Sequence, residues 1–118
     1  VLSFGGPLTK SFSYDELYLP ISQVVGFHLL PPAEEPLDYD PSEPNRTMHD
    51  VQLLLGNFSA KGKVRISTHA DFATSIDVAH AGWLSVYDAE VTTLFVPQFP
   101  AFHAPMMLVN PMLVSFGV

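Results

Sequence analysis

The chain contains no cysteine, so it has no disulfide framework and no thiolate that could act as a nucleophile or bind zinc. Charged residues are scarce, at 14% of the 118 residues, compared with about 25% in an average soluble domain. No apolar run reaches the roughly 18 to 20 residues that a helix needs to cross a bilayer. These absences exclude thiol-dependent and disulfide-rich proteins, and they argue against membrane insertion.

Basic residues are the scarcer of the two charged classes. Five lysines and arginines stand against twelve acids, which leaves a formal net charge of −7 at pH 7. A nucleic-acid-binding protein needs basic side chains to replace the counterions of the phosphates, and an anionic membrane surface attracts basic segments. The sequence therefore predicts no nucleic-acid partner. It does not assign a compartment, although the cytoplasm is slightly favoured.

Apolar residues, at 47%, are sufficient for a core, and composition divides the chain into three parts. Residues 1–30 are apolar and rich in strand-forming types. Their first four residues have the pattern expected in the middle of a strand. Residues 31–45 are rich in proline and acids, which predicts an extended, solvated linker. Residues 46–118 are again apolar and predict a compact β domain.

The two apolar flanks resemble each other. Residues 17–27 align with residues 106–116 at an offset of 89, with the apolar pattern kept throughout but few identities. Two short strands can match in this way by chance. The alternative is a tandem repeat, in which residues 1–30 are the terminal strands of a first copy and residues 46–118 are a second copy.

The local patterns within residues 46–118 predict strands around one helix. Residues 63–68 alternate apolar and polar types, and residues 57–62 supply turn-forming side chains before them. Further strands are expected at 51–55, 83–91, 106–109 and 113–118. Phe72, Ile76 and Ala79 recur at helical spacing, after Thr68 or Asp71 as the cap. We therefore expect a mostly β fold, a small bent sheet or barrel-like unit of about five to seven strands with one short helix near 71–79.

Several segments together resemble a bacterial family of small β domains of unknown function. The resemblance is to members that contain a tandem repeat, and within these to the C-terminal copy of the repeat. The resemblance lies in residues 62–67, 71–78, 83–91 and 108–116, and the linker 36–46 also looks like an element of longer members. It covers about residues 20–117. The resemblance implies a compact β-barrel-like unit, and it carries over no catalytic residue.

Histidine and acidic residues supply the weak candidates for a metal site. His69, Asp71 and His80 surround the start and end of the predicted helix, and two imidazoles with a carboxylate suit zinc or iron. Motifs with established metal-ligand spacing are missing, and these residues serve equally well as helix caps or surface groups. No metal, cofactor or catalytic residue is therefore assigned.

Residues 94–107 carry the strongest functional signal. They contain three phenylalanines and three prolines without a charge, a composition that a solvated loop avoids. The rings either close over the core as a lid or form an exposed surface for another subunit or protein. The prolines argue against a central strand in this segment.

These observations favour a non-catalytic structural or interaction module that associates through apolar β surface, by self-association or with another protein. The candidate ligand or interface residues are Trp83, Tyr87, Phe95, Phe99 and Phe102. One alternative is a barrel that binds a small ligand in an aromatic pocket lined by Trp83, Tyr87, Phe95 and Phe102. The other is a metal-dependent enzyme at residues 69–80.

Overall fold

A computed structural model describes residues 13–29, 38–79, 82–95 and 98–118. Within these ranges the chain forms a short 3₁₀ turn at Ile21–Gln23, six strands and one α-helix. The elements are β1 (Gly26–Phe27), β2 (Arg46–Leu55), β3 (Phe58–Ser67), α1 (Phe72–Ala79), β4 (Leu84–Thr93), β5 (Phe102–Val109) and β6 (Ser115–Gly117).

The strands form one antiparallel sheet in the order β1-β5-β4-β3-β2-β6, curled into a half-barrel. The most deeply buried side chains come one from each of the four long strands: Leu53, Val64, Val86 and Val109. Because alternate side chains of a strand point to opposite faces, these residues define the inner face of the curl. The prediction of a mostly β unit with one short helix is confirmed.

The β2–β3 hairpin is longer than the sequence patterns suggest. Its ladder runs from the pair Arg46–Ser67 to the pair Leu55–Phe58, and the turn consists of Gly56 and Asn57 alone. The expected turn at residues 57–62 is therefore wrong. Gly56 has a φ of +60°, which glycine adopts without steric cost, so the chain can reverse before Phe58.

The predicted helix is present as α1. Ile76 is buried, and the ring of Phe72 packs edge-to-face on Phe116 of β6 at 5.9 Å. The Asp71 carboxylate accepts a 2.7 Å hydrogen bond from the Thr74 backbone N–H, as an N-cap does. This bond lowers the pKa of Asp71.

β4 contains a local irregularity where it pairs with β3. Asp88 has a φ of +50°, and the register between β3 and β4 shifts between Lys61 and Lys63. On β4, Val86 and Ala89 are both buried although they are three residues apart, so the alternation of faces moves by one residue at this point. We call this feature the β4 bulge. Gly62 lies against it.

A proline occupies β5 despite the expectation that prolines exclude a central strand from this segment. Pro105 lies within Phe102–Val109, and β5 pairs with β4 over its whole length. β1 pairs only with Leu108 and Val109, so the other edge of β5 has no partner for residues 102–107 in the described structure. A residue without an N–H is tolerated on such an edge.

The two similar flanks lie at opposite edges of the sheet. β1 pairs with β5, and β6 pairs with β2. Val25 and Val114 both pack against the core, but Phe27 is largely exposed whereas Phe116 packs on the core. The expected repeat stays a prediction, as does the division into 1–30, 31–45 and 46–118. Residues 31–37 of the expected linker lie outside the described residues.

Candidate functional site

The uncharged aromatic segment lies at one end of the half-barrel. The β2–β3 turn and the last residues of β4 meet there, since the Leu94 N–H donates a 3.2 Å hydrogen bond to the carbonyl of Asn57. Phe102 begins β5 at the same end, opposite Val91. The four phenylalanines of this region, Phe58, Phe95, Phe99 and Phe102, are called the aromatic end.

The rings of the aromatic end form a graded series from core to solvent. Phe58 and Phe102 pack against the core cluster. Phe99 makes edge-to-face contacts with both, at 5.8 Å and 6.5 Å between ring centroids, and it is 36% exposed. Phe95 is 69% exposed. The lid and surface interpretations therefore describe different members of the same segment.

Trp83 lies far from the aromatic end. Its ring contacts Phe27 edge-to-face at 5.1 Å, and its neighbour Leu84 pairs with Val109 at the opposite end of the β4–β5 ladder. Leu84 and Val91 are seven positions apart along β4, which corresponds to roughly 23 Å between their Cα atoms. The structure therefore does not bring Trp83, Tyr87, Phe95 and Phe102 together as the lining of one pocket.

Tyr87 lies apart from both the aromatic end and Trp83. Its side chain is on the outer face of the sheet, opposite the face that packs on the core. Its hydroxyl donates a hydrogen bond to the Asp38 carboxylate, which also accepts one from the Ser85 hydroxyl. The Tyr39 ring packs edge-to-face on the Tyr87 ring at 5.1 Å. Residues 38–45, which we call the strap, are thus attached to β4.

Arg65 attaches the same strap to β3. Its guanidinium lies 4.4 Å from the centroid of the Tyr39 ring and donates to the Glu43 carboxylate at 2.9 Å and to the Asp40 carbonyl at 3.1 Å. Arginine has a planar group that stacks on aromatic rings and five N–H donors in a fixed arrangement, a geometry that lysine lacks. The hydrogen bond from Arg65 is the main cause that lowers the pKa of Glu43.

The contact between Tyr87 and Asp38 predicts a pH dependence of stability. Burial, with the hydrogen bond to Asp38 second, raises the pKa of Tyr87 above its ordinary value of about 10. A raised folded-state pKa gives stability that is fully present below the unfolded-state pKa and is lost as the pH rises through the folded-state value. We expect Tyr87→Phe to cost about 1 to 2 kcal/mol at pH 7 and to flatten the fall in stability above pH 10.

Urea unfolding at pH 7 and between pH 9 and 12 measures this effect. Tyr18→Phe is the matched control, because the Tyr18 hydroxyl makes only an exposed hydrogen bond to Glu16. Equal slopes for wild type and Tyr87→Phe above pH 10 would show that Tyr87 does not couple folding to alkaline pH.

The weak metal candidates are placed as follows. Asp71 caps α1, and His69 is exposed with its backbone N–H bonded to the Ser67 hydroxyl at 3.2 Å. His80 lies outside the described residues. Over the described ranges, no three His, Cys, Asp or Glu side chains come together in a way that could hold a metal ion.

Among the open grooves formed by the described residues, two lie on the sheet and are lined mainly by polar and charged residues. One, of about 580 Å³, includes the ion pair between Lys63 and Asp50, at 2.7 Å. The other, of about 520 Å³, runs along the strap beside Arg65 and Tyr87. Neither contains the aromatic end.

The strap residues Asp38, Tyr39 and Glu43 were missed as contact residues by sequence reasoning. An aromatic side chain between two acids, Asp38 and Asp40, is the one signal that could have indicated attachment, because a purely solvated linker has no use for Tyr39.

None of the helices in the described part of the chain is long and apolar enough to cross a membrane. A comparison of the chain with models of protein families, with curated proteins and with solved structures finds no match.

Proposed function

We propose that this chain is a non-catalytic interaction module that associates with protein partners, another copy of itself included, through apolar β surface. The observation that carries the proposal is the exposure of Phe95, at 69%, directly after Leu94, whose N–H is bonded to the β2–β3 turn.

The support comes from the contrast between the two sides of the aromatic end. Phe58 and Phe102 pack against the core and position Phe99, so the surface beyond them is preformed. Leu94 and Phe95 extend this surface into solvent, and residues 94–102 carry no charge. Aromatic residues, phenylalanine included, are enriched in protein–protein interfaces, and a ring with two rotatable bonds loses little conformational entropy when it is buried.

The proposal predicts the effect of Phe95→Ser. We expect the free energy of unfolding to change by no more than about 0.5 kcal/mol, because the exposed ring supports nothing else. Association should weaken about 30-fold, which corresponds to about 2 kcal/mol for the loss of a buried aromatic contact. Sedimentation velocity over a concentration series measures self-association, and immobilised wild type and variant are compared for binding of other proteins.

Val78→Ser is the matched control for this test. Val78 is 77% exposed on α1, so the substitution removes an exposed apolar side chain elsewhere on the molecule. If both variants associate as the wild type does, the aromatic end is not the contact surface.

A further inference from the structure

The segment that precedes β1 contains three exposed apolar residues and is not a strand of the sheet. Residues 13–20, which we call the arm, belong to no helix or strand and are exposed throughout, and the Tyr18 side chain is 85% exposed. Leu17 and Leu19 lie beside it with about half of their surface in contact with solvent. No strand in the described ranges pairs with the arm. Three neighbouring exposed apolar side chains at residues 17–19 are typical of an interaction site.

β6 offers a free edge at the other end of the sheet order. Leu55 and Phe58 close a two-residue turn and therefore exchange both of their backbone hydrogen bonds. Bonding alternates along an antiparallel strand, so Leu54 directs its backbone groups to the other neighbour, β6, where it pairs with Ser115. By the same alternation, the N–H and C=O of Phe116 point away from β2. No described strand receives them.

This edge also lacks protection against strand pairing. Exposed edge strands usually carry a lysine, another charge or a proline that prevents another strand from adding. Residues 104–118 contain no charged residue, and none of Ser115, Phe116 and Gly117 is a proline. The edge of β6 is therefore open to an incoming strand.

The arm and β6 are related through the similarity of the two flanks. At the offset of 89, the turn that follows the arm corresponds to the turn between β5 and β6. Both turns contain the same hydrogen bond, from Val24 N–H to Ile21 C=O at 3.1 Å and from Leu113 N–H to Asn110 C=O at 3.0 Å. In the predicted repeat, the end of the arm corresponds to the end of β5, and β1 corresponds to β6.

We propose that a second copy of this chain adds its arm to the free edge of β6 as an antiparallel strand, with Leu19 opposite Phe116. The register follows from an observed pair, since Leu108 of β5 lies opposite Phe27 of β1. Leu19 corresponds to Leu108, and Phe116 to Phe27. The inference rests on the proposed function, which it deepens by naming the partner and a second contact surface.

The backbone groups fit this register. The Asn110 N–H donates a 2.8 Å hydrogen bond to the Val25 carbonyl, so in the β1–β5 pair the N–H of Val109 points away from β1. Pro20 occupies the position equivalent to Val109, and a proline there loses no hydrogen bond to β6. Leu19 takes the place of Leu108 and meets the outward N–H and C=O of Phe116.

The side chains fit as well. Directly paired residues of antiparallel strands point to the same face, so Leu19 lies beside Phe116, whose ring packs on the core. In the same register, the large Tyr18 side chain lies opposite Gly117, which has no side chain. A Cβ placed at Gly117 meets only Gln52 atoms at ordinary distances of 3.8 and 3.9 Å.

Engineered cysteines test the register directly, because the chain has no cysteine of its own. Residues 18 and 117 form a pair without backbone hydrogen bonds, whose Cα atoms lie about 4.5 Å apart, a distance that a disulfide spans. We expect an oxidised mixture of the Tyr18→Cys and Gly117→Cys proteins to form a reducible covalent dimer. Each variant oxidised alone, and Tyr18→Cys mixed with Val78→Cys, should remain largely uncrosslinked.

The association itself is tested with Leu17→Ser/Leu19→Ser, which changes only exposed arm residues and keeps the fold. We expect self-association measured by sedimentation to fall at least tenfold, with Val78→Ser unchanged. The arm pairing is wrong if the mixture yields no more dimer than the Val78→Cys control, or if the wild type is monomeric at concentrations of about 1 mM.

The two proposals fail separately. If Phe95→Ser weakens association while residues 18 and 117 do not crosslink, the aromatic end is the contact and the arm pairing is wrong. If residues 18 and 117 crosslink while Phe95→Ser associates and binds other proteins as the wild type does, the arm pairing stands without the aromatic end.

Discussion

Replacing Gly62 with alanine is expected to destabilise the fold by about 2 to 3 kcal/mol and to lower Tm by roughly 10 °C. A Cβ at this position would lie 2.7 Å from Val86 Cγ1 and 3.0 Å from the Tyr87 carbonyl oxygen. Neither atom can move freely, because Val86 is fully buried and the carbonyl belongs to the β4 bulge. The added methyl group therefore forces β3 and β4 apart.

Gly82→Ala is the matched control. No atom lies within 4 Å of a Cβ placed at Gly82, so we expect that variant to be as stable as the wild type or slightly more stable. Thermal and urea unfolding followed by circular dichroism measure both. Equal stability of Gly62→Ala and Gly82→Ala would contradict the tight packing of β3 against the bulge.

Phe102→Ser is expected to cost about 2 to 3 kcal/mol, because the ring packs against the core and also contacts Phe99. The His28 ring also contacts Phe102, at 5.1 Å between ring centroids. Of the phenylalanines proposed as interface residues, Phe102 is therefore the one whose loss should be detected first as instability.

The comparison with Phe95→Ser separates stability from association. A stable Phe102→Ser protein with weakened association would place Phe102 at the contact surface and not in the core. A Phe95→Ser protein that unfolds as readily as Phe102→Ser would show that the exposed ring supports the fold. Unfolding in urea and sedimentation of both variants under the same conditions decide between these outcomes.

The elements that depend on neighbouring residues could be predicted from the sequence. The alternation of Val64 and Ile66 with polar residues indicates a strand with one buried face, and the spacing of Phe72 and Ile76 after Asp71 indicates a capped helix. Both are local patterns, since period and cap are set within one or two turns of the chain. This is why α1 and residues 63–67 of β3 lie close to their expected positions, although β3 begins five residues earlier than expected.

The sites that depend on distant residues could not be predicted in the same way. Asp38 and Tyr87 are 49 residues apart, and they meet only because the strap lies across β3 and β4. The position of the β2–β3 turn was missed for a different reason. Residues 57–62 are turn-forming types. In β3, however, Lys61 lies on the solvent face, and Gly62 is needed where the strand packs closely against the β4 bulge. Composition does not distinguish these two uses of the same residues.

The β4 bulge determines which strand alignments the chain can adopt. The left-handed backbone at Asp88 moves the inward positions of β4 from Val86 to Ala89, and β5 makes the same step from Met107 to Ala104. If β5 slid by two residues along β4, the two steps would no longer coincide, and an outward side chain would replace an inward one. Only one register places the inward residues of both strands on the core side. The bulge therefore disfavours pairings of β4 and β5 in any other register.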